Sequence, residues 1–200
     1  MNRISHNTIL SIAALGILAV AGVIILISNQ TQAIISGGEV DATDIFHPTG
    51  WIGDRDDLKF APSWPDPQSQ QSQKLADTCI RIDYSARGPK GWAGIYWQYP
   101  EDNWGKLPGY DLKGATELRF MARADQKAKA EFMIGGIDND SVNPPISTGN
   151  KTLTRDWQEF NISLAKEDLR NVIGGFFWTS SRDTNPGGCT IYLKRIRYVY

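Results

Sequence analysis

The chain has little of what most catalytic devices require. It holds two histidines, His6 and His47, and two cysteines, Cys79 and Cys189. His6 precedes a long apolar run and His47 stands beside Pro48 in a polar stretch, so neither falls where a Ser-His-Asp or Cys-His arrangement would put it within reach of a nucleophile. Zinc-ligand spacing, a phosphate-cradling glycine loop and a dinucleotide fingerprint are all missing. Gly135-Gly136 and Gly174-Gly175 lie inside apolar strand patterns, where glycines mark bulges or close backbone approach. Excess charge of either sign is lacking too: 21 Lys and Arg against 22 Asp and Glu leave a net charge of −1. That balance excludes the electrostatic footprint of a nucleic-acid partner or a polybasic lipid-binding surface and favours a neutral ligand. Neither an enzymatic activity nor a cofactor is expected.

One long hydrophobic run is present. From Ile9 to Ile27 the chain is apolar without a charge, long enough at ~1.5 Å of helical rise per residue to cross the hydrocarbon core of a bilayer. Arg3 and the α-amino group precede it and the next charged side chain is Glu39, a bias that places the amino terminus in the cytoplasm. The competing reading is a cleaved signal peptide, with Thr31 and Ala33 as small residues near a cut, but the run exceeds the usual apolar region of roughly 7–15 residues. The expected layout is a cytoplasmic tip over 1–8, a transmembrane helix over 9–28, a polar stalk over 29–49 and an extracytoplasmic domain over 50–200. A domain of that length has room for one substantial core.

Alternating apolar and polar residues recur at Thr78 to Tyr84, Trp92 to Tyr99, Thr116 to Arg123, Ala130 to Ile134, Trp157 to Ile162, Val172 to Thr179 and Thr190 to Tyr198, with a shorter candidate at Leu58 to Phe60. Turn-forming clusters separate them, among them Arg87 to Lys90, Asp138 to Gly149 and Asp183 to Gly188. Helical periodicity is confined to a short piece, Leu164 to Leu169. The pattern predicts an all-β domain, an antiparallel β-sandwich of two packed sheets.

The segment GWAGIYWQYPEDNWG, Gly91 to Gly105, carries more aromatic surface than one strand needs for its core. As a strand it puts Ala93, Ile95 and Trp97 on one face and Trp92, Gly94, Tyr96 and Gln98 on the other. The first face reads as core. The second offers flat rings beside an amide, a surface on which a sugar ring can rest its C–H face while its hydroxyls find polar partners. Burial of both faces at a corner of a two-layer fold is the alternative. Trp104 and Trp178 are further stacking candidates, although the strand of Trp178 is apolar on both parities. In Leu118, Phe120, Ala122 and again in Ala130, Phe132, Ile134 every second residue is apolar, and the mixed face shared by these adjacent strands is expected to form a shallow groove if the sheet is curved, with Arg119 or Arg123 available to bond sugar hydroxyls. A solvated face laced with charge pairs is the other reading of these arginines.

Cys79 points away from the face defined by Ile80, Ile82 and Tyr84 only if parity holds, while Cys189 shares the inward parity of Ile191 and Leu193; a disulfide between them therefore needs a strand irregularity. Asn29, Asn139, Asn150 and Asn161 each begin an Asn-x-Ser/Thr triplet, consistent with an external domain.

DLKGATELRFMARA (Asp111 to Ala124), LTRDWQEFNISL (Leu153 to Leu164), VIGGFFW (Val172 to Trp178) and TIYLKRIRY (Thr190 to Tyr198), in that order, resemble the jelly-roll, carbohydrate-binding-module-like domains of the galactose-binding-like superfamily. The resemblance covers nearly all of Gly50 to Tyr200 and implies a non-catalytic domain that binds glycan or polysaccharide. It departs at Lys194 and Arg195, where such domains often carry aspartates; two cations there would repel the structural calcium ion that such an aspartate helps to hold. Asp54, Asp56 and Asp57, or Asp138 and Asp140, are the remaining loop carboxylates able to supply oxygen ligands. The function expected is a membrane-anchored, extracytoplasmic glycan-binding domain using Trp92, Tyr96, Gln98, Trp104, Arg119, Arg123 and Trp178. An envelope or assembly protein that uses the same aromatic face against a protein partner is the alternative, and a glycosidase built on Glu131 and Asp138 a third.

Overall fold

Twelve strands build two antiparallel sheets in a computed structural model that describes residues 38–66, 68 and 77–200. They are β1 (Glu39–Asp41), β2 (His47–Gly53), β3 (Leu58–Pro65), β4 (Thr78–Tyr84), β5 (Trp92–Gln98), β6 (Glu117–Ala124), β7 (Ala128–Ile134), β8 (Ile146–Ser147), β9 (Lys151–Leu153), β10 (Gln158–Ser163), β11 (Gly174–Ser181) and β12 (Cys189–Val199). The first sheet runs β10-β6-β12-β4-β3, with β1 paired to the far end of β12; the second runs β2-β5-β11-β7-β8, with β9 paired to β7. The predicted membrane span and the first part of the predicted stalk lie outside the described residues.

Inward residues of both sheets make one core. Phe120, Phe132 and Phe176 sit at its centre with Trp97, Trp178, Ile82, Ile95 and Leu118, all at most 1% exposed. Phe120 meets Phe132 at 4.7 Å and Phe176 at 5.2 Å between ring centroids. These are inward members of β4, β5, β6, β7 and β11, so the period-two pattern has its physical cause in this slab of rings between the sheets.

The compact unit begins at Glu39 rather than Gly50. Residues expected in the stalk are part of the sandwich: Glu39 pairs with Val199, and His47 with Gln98. Three-residue β1 and the Pro48- and Gly50-bearing β2 show no alternation long enough to read, and the register of β2 shifts between Pro48 and Gly50. β2 and β3 are edge strands, and Pro62 and Pro65 in β3 deny that edge a complete row of N–H donors. Leu164 to Leu169 is not helical: Glu167 donates to the Leu164 carbonyl in a turn, and both leucines are buried, which accounts for the apolar spacing.

Cys79 and Cys189 are both buried and free. Cys189 pairs with Tyr84, five residues along β4 from Cys79, a separation of roughly 17 Å at ~3.3 Å per residue that no disulfide spans. Burial pushes the Cys79 thiol up to about 11.

Candidate functional site

Strand β5 divides as its alternation predicts. Ala93, Ile95 and Trp97 enter the main core, whereas Tyr96 belongs to a separate small cluster on the outer face of the second sheet, with Ile137, Ile173 and Phe177 and, half-buried beside them, Ile52 and Met133. Register fixes two cross-strand rows there: Ile52, Gly94, Thr179 and Glu131; then Gly50, Tyr96, Phe177, Met133 and Ser147. Tyr96 and Phe177 stack with centroids 4.0 Å apart and planes 9° from parallel. Gly94 makes room for that pair, since a Cβ there would lie 2.6 Å from Phe177 Cε2 and 2.8 Å from the Trp178 carbonyl oxygen. The stack is sealed: Tyr96 is 8% and Phe177 5% exposed. Burial, with the nearby Asp140 charge second, pushes the Tyr96 phenol up to about 12.

Two indoles remain open at the margins of this floor, Trp92 at 38% and Trp104 at 42% exposure. Trp92 opens β5, and its neighbour Gly91 is held by Asp54, whose carboxylate accepts from the Lys90 and Gly91 amides at 3.0 and 2.7 Å. Trp104 contacts the edge of Tyr96 at 6.0 Å. Its loop is braced by Asn103, 2% exposed, whose Oδ1 accepts from the amides of Gly105, Lys106 and Leu107 at 3.0–3.1 Å. Asn103 Nδ2 donates to the carbonyls of Tyr99 and Leu107. Asn139 Nδ2 donates to the Gly105 carbonyl, and Asn171 ties the Asn139 carbonyl to the Gly109 amide. Gly105 has a φ of +87° and its Cβ position lies 2.2 Å from the Asp138 carbonyl oxygen, a packing open only to glycine.

The remaining predicted site residues lie elsewhere or face inward. Gln98 is fully buried: Thr49 Oγ1 donates to its Oε1 at 2.9 Å and its Nε2 donates to the Asn103 carbonyl at 2.8 Å, so the amide anchors the Trp104 loop and offers nothing to a ligand. Trp178 is fully buried in the main core, because the bulge between Gly174 and Phe176 sets Phe176 and Trp178 inward and leaves Phe177 as the outward member. Arg119 and Arg123 sit on the other sheet. β6 and β7, consecutive in sequence, belong to opposite sheets, so no groove joins their outer faces. Arg119 pairs with Glu117 and Glu39 at 3.3 and 3.4 Å. Arg123, 4% exposed, lies 3.9 Å over the Tyr192 ring and 5.4 Å over Trp157, with Lys194 at 4.3 Å from the same indole.

The loop carboxylates hold backbone. Asp57 accepts from Ser85 Oγ at 2.5 Å and the Gly88 amide at 2.7 Å; burial opposes its charge, but these donors outweigh it and hold the carboxyl below its ordinary value. Asp140 accepts from the Val142, Ile173 and Gly174 amides, yet burial wins and raises it. Lys194 meets Asp66 at 2.8 Å and Asp77 at 3.2 Å. Among the described residues no group of three or more His, Cys, Asp or Glu side chains is placed to hold a metal ion.

The sequence matches no family profile and no curated protein. The structure does have relatives. It is similar to a family 30 carbohydrate-binding module at 15% identity and a TM-score of 0.52, covering 81% of this chain and 87% of that one. It is similar also to the family 11 module of Clostridium thermocellum in complex with a β-1,3-1,4-mixed-linked tetrasaccharide, at 14% identity and a TM-score of 0.52 over 82% of this chain and 96% of that one. A family 30 module of a cellulosomal cellulase from the same organism matches at 16% identity and a TM-score of 0.50, over 81% and 97%. The fold is a carbohydrate-binding-module-like β-sandwich. At such identities the likeness fixes the architecture and leaves the ligand to be argued from this chain's own residues.

Within this module-like sandwich the outer face of the second sheet is the candidate site. Sequence reading found Trp92 and Trp104 by their density and missed Asn103, Thr179, Ser147 and the role of Phe177. Asn103 carries a readable signal, an Asn followed two residues on by Gly in a turn, whereas Ser147 joins the face only through the pairing of β8 with β7.

Proposed function

We propose that the chain is a membrane-anchored, extracytoplasmic, non-catalytic glycan-binding protein whose site is the outer face of the second sheet. The observation that supports it is the pair of open indoles, Trp92 at the start of β5 and Trp104 on a braced loop beside the Tyr96 and Phe177 floor, on a carbohydrate-binding-module-like sandwich. An open indole on a rigid loop pays little ordering entropy when a sugar ring stacks on it. Tyr96 and Gln98 support that surface from beneath, and each stacked ring contributes roughly 25 cal/mol per Å² of apolar area covered. Anchoring through Ile9 to Ile27 keeps the module at the membrane surface. Neutral polysaccharide or oligosaccharide is the ligand class this surface suits.

The test is binding of the detergent-solubilised full chain to a glycan array, with Trp92→Ala and Trp104→Ala. Loss of binding in both variants with unchanged melting supports the reading; wild-type binding to no glycan overturns it. A second reading rests on Leu107, 54% exposed three residues from Trp104: the loop tip packs against a protein partner. Co-purification of one envelope protein, lost in Leu107→Asp, would favour that role.

A further inference from the structure

The outer face of the first sheet carries a polar row that the fold leaves open. Lys59, Asp83 and Thr190 stand side by side on β3, β4 and β12, each next in sequence to an inward residue, Phe60, Ile82 or Ile191, so all three side chains face outward. They border a cleft of about 430 Å³ whose walls include Arg81, Asp125 and Gln126. Asp83 commits one oxygen only. Its Oδ1 accepts from Arg81 Nε and Nη2 at 3.1 and 3.0 Å and from Thr190 Oγ1 at 2.6 Å, while Oδ2 accepts nothing among the described residues. Arg81 is held a second way, with its guanidinium 4.5 Å over the Trp64 ring, and its Nη1 has no partner among the described residues. Lys59 lies directly opposite Asp83, which sets their Cβ atoms ~5 Å apart, yet it makes no ion pair among the described residues. One acceptor and two donors thus face the same cleft without closing onto one another.

We propose that this cleft is a second carbohydrate site, in which a sugar hydroxyl bridges the open pair: it donates to Asp83 Oδ2 and accepts from Lys59 Nζ, while a neighbouring hydroxyl accepts from Arg81 Nη1. The inference rests on the glycan reading above and goes beyond it, because this face belongs to the other sheet from Trp92 and Trp104 and makes the protein bivalent. The ligand class is a neutral sugar with adjacent free hydroxyls. A bare anion would meet Asp83 and Asp125 and a bare cation Lys59 and Arg81, whereas a hydroxyl both gives and receives a hydrogen bond and so satisfies the mixed pair. Without an open indole in the cleft, binding comes from directed bonds and selects hydroxyl pattern rather than apolar area.

The experiment titrates the detergent-solubilised full chain with an oligosaccharide cut from a neutral polysaccharide that binds in the array. Wild type is expected to show two classes of site, the second weaker by about ten- to a hundredfold because no ring stacks there. The combined Trp92→Ala, Trp104→Ala variant keeps the weak class alone. In that background Asp83→Asn weakens binding by about tenfold or more, and Lys59→Ala by about three- to tenfold. Lys59 is exposed and unpaired among the described residues, so its removal tests the site without unseating the sheet, and unchanged melting verifies this. The O-methylated oligosaccharide, with no hydroxyl hydrogen to give Asp83, leaves the weak class empty. A combined Trp variant that binds nothing, residual binding indifferent to both Asp83→Asn and Lys59→Ala, or equal binding of the methylated sugar overturns the second site and leaves the glycan reading standing. Wild-type binding to no polysaccharide overturns that reading and the second site with it.

Discussion

Tyr96 and Phe177 stand directly opposite each other on β5 and β11 and stack face to face, their centroids 4.0 Å apart. This pair forms the floor against which Trp104 packs, and its geometry depends on Gly94 lacking a side chain beneath Phe177. Floor and rim are therefore separable by mutation.

Phe177→Ala empties the satellite cluster and is expected to destabilise the fold by about 3 kcal/mol, the low end for a buried phenylalanine because the cluster is small. Gly94→Ala forces a methyl against a ring and a backbone carbonyl and costs about 1–3 kcal/mol. Urea unfolding of the two variants measures both, and a neutral Gly94→Ala would contradict the packing described.

Asn103→Ala removes the acceptor shared by three amides and is expected to loosen the Trp104 loop at a cost of about 1–3 kcal/mol. Tryptophan fluorescence should shift to the red and quench more readily, and glycan binding should fall further than stability does. Gln98→Leu, which breaks the link from Thr49 to the same loop, should act in the same direction.

Tyr96 gives a pH signature. Its folded value of about 12 lies above the ordinary 10.0, so the neutral phenol is favoured by folding. The stability it contributes is fully present below pH 10.0 and is lost as pH rises through about 12. Between those limits the melting temperature of wild type should fall more steeply than that of Tyr96→Phe, which has no phenol to ionise.

Lys194→Met takes a cation from Asp66, which is 1% exposed and also accepts from Trp157 Nε1 at 3.1 Å. Although burial opposes its charge, the bonds from Lys194, Gln68 and Trp157 hold the Asp66 carboxyl below its ordinary value. Its stabilising share is thus present above the unfolded carboxylate range and lost as pH falls through the lowered folded value. The variant should lose about 2–3 kcal/mol near neutrality and show a flatter acid limb in a melting-temperature profile.

Much of this architecture was legible in the sequence. The strands β4, β5, β6 and β12 alternate cleanly because each has one face on the aromatic slab, and their predicted spans match within a residue or two. β1, β2, β8 and β9 were not, since three are two or three residues long and β2 carries a proline and three of its seven positions are Gly or Pro. The candidate site was half legible. Exposure of Trp92 and Trp104 follows from their excess over what a core can use, but Gln98 and Tyr96 share the parity of Trp92 and are nonetheless covered, by the loop that Trp104 rides on. Arg119 and Arg123 were misplaced because consecutive strands are commonly neighbours, and here the chain crosses between layers at Asp125 to Lys127.

Both ends of the folded unit enter the first sheet, where Glu39 lies beside Val199. The first and last strands of the described unit thus close the same stretch of sheet, so a cut or insertion that frees β1 would strip the β12 end of its neighbour and unseat the final residues of the sandwich.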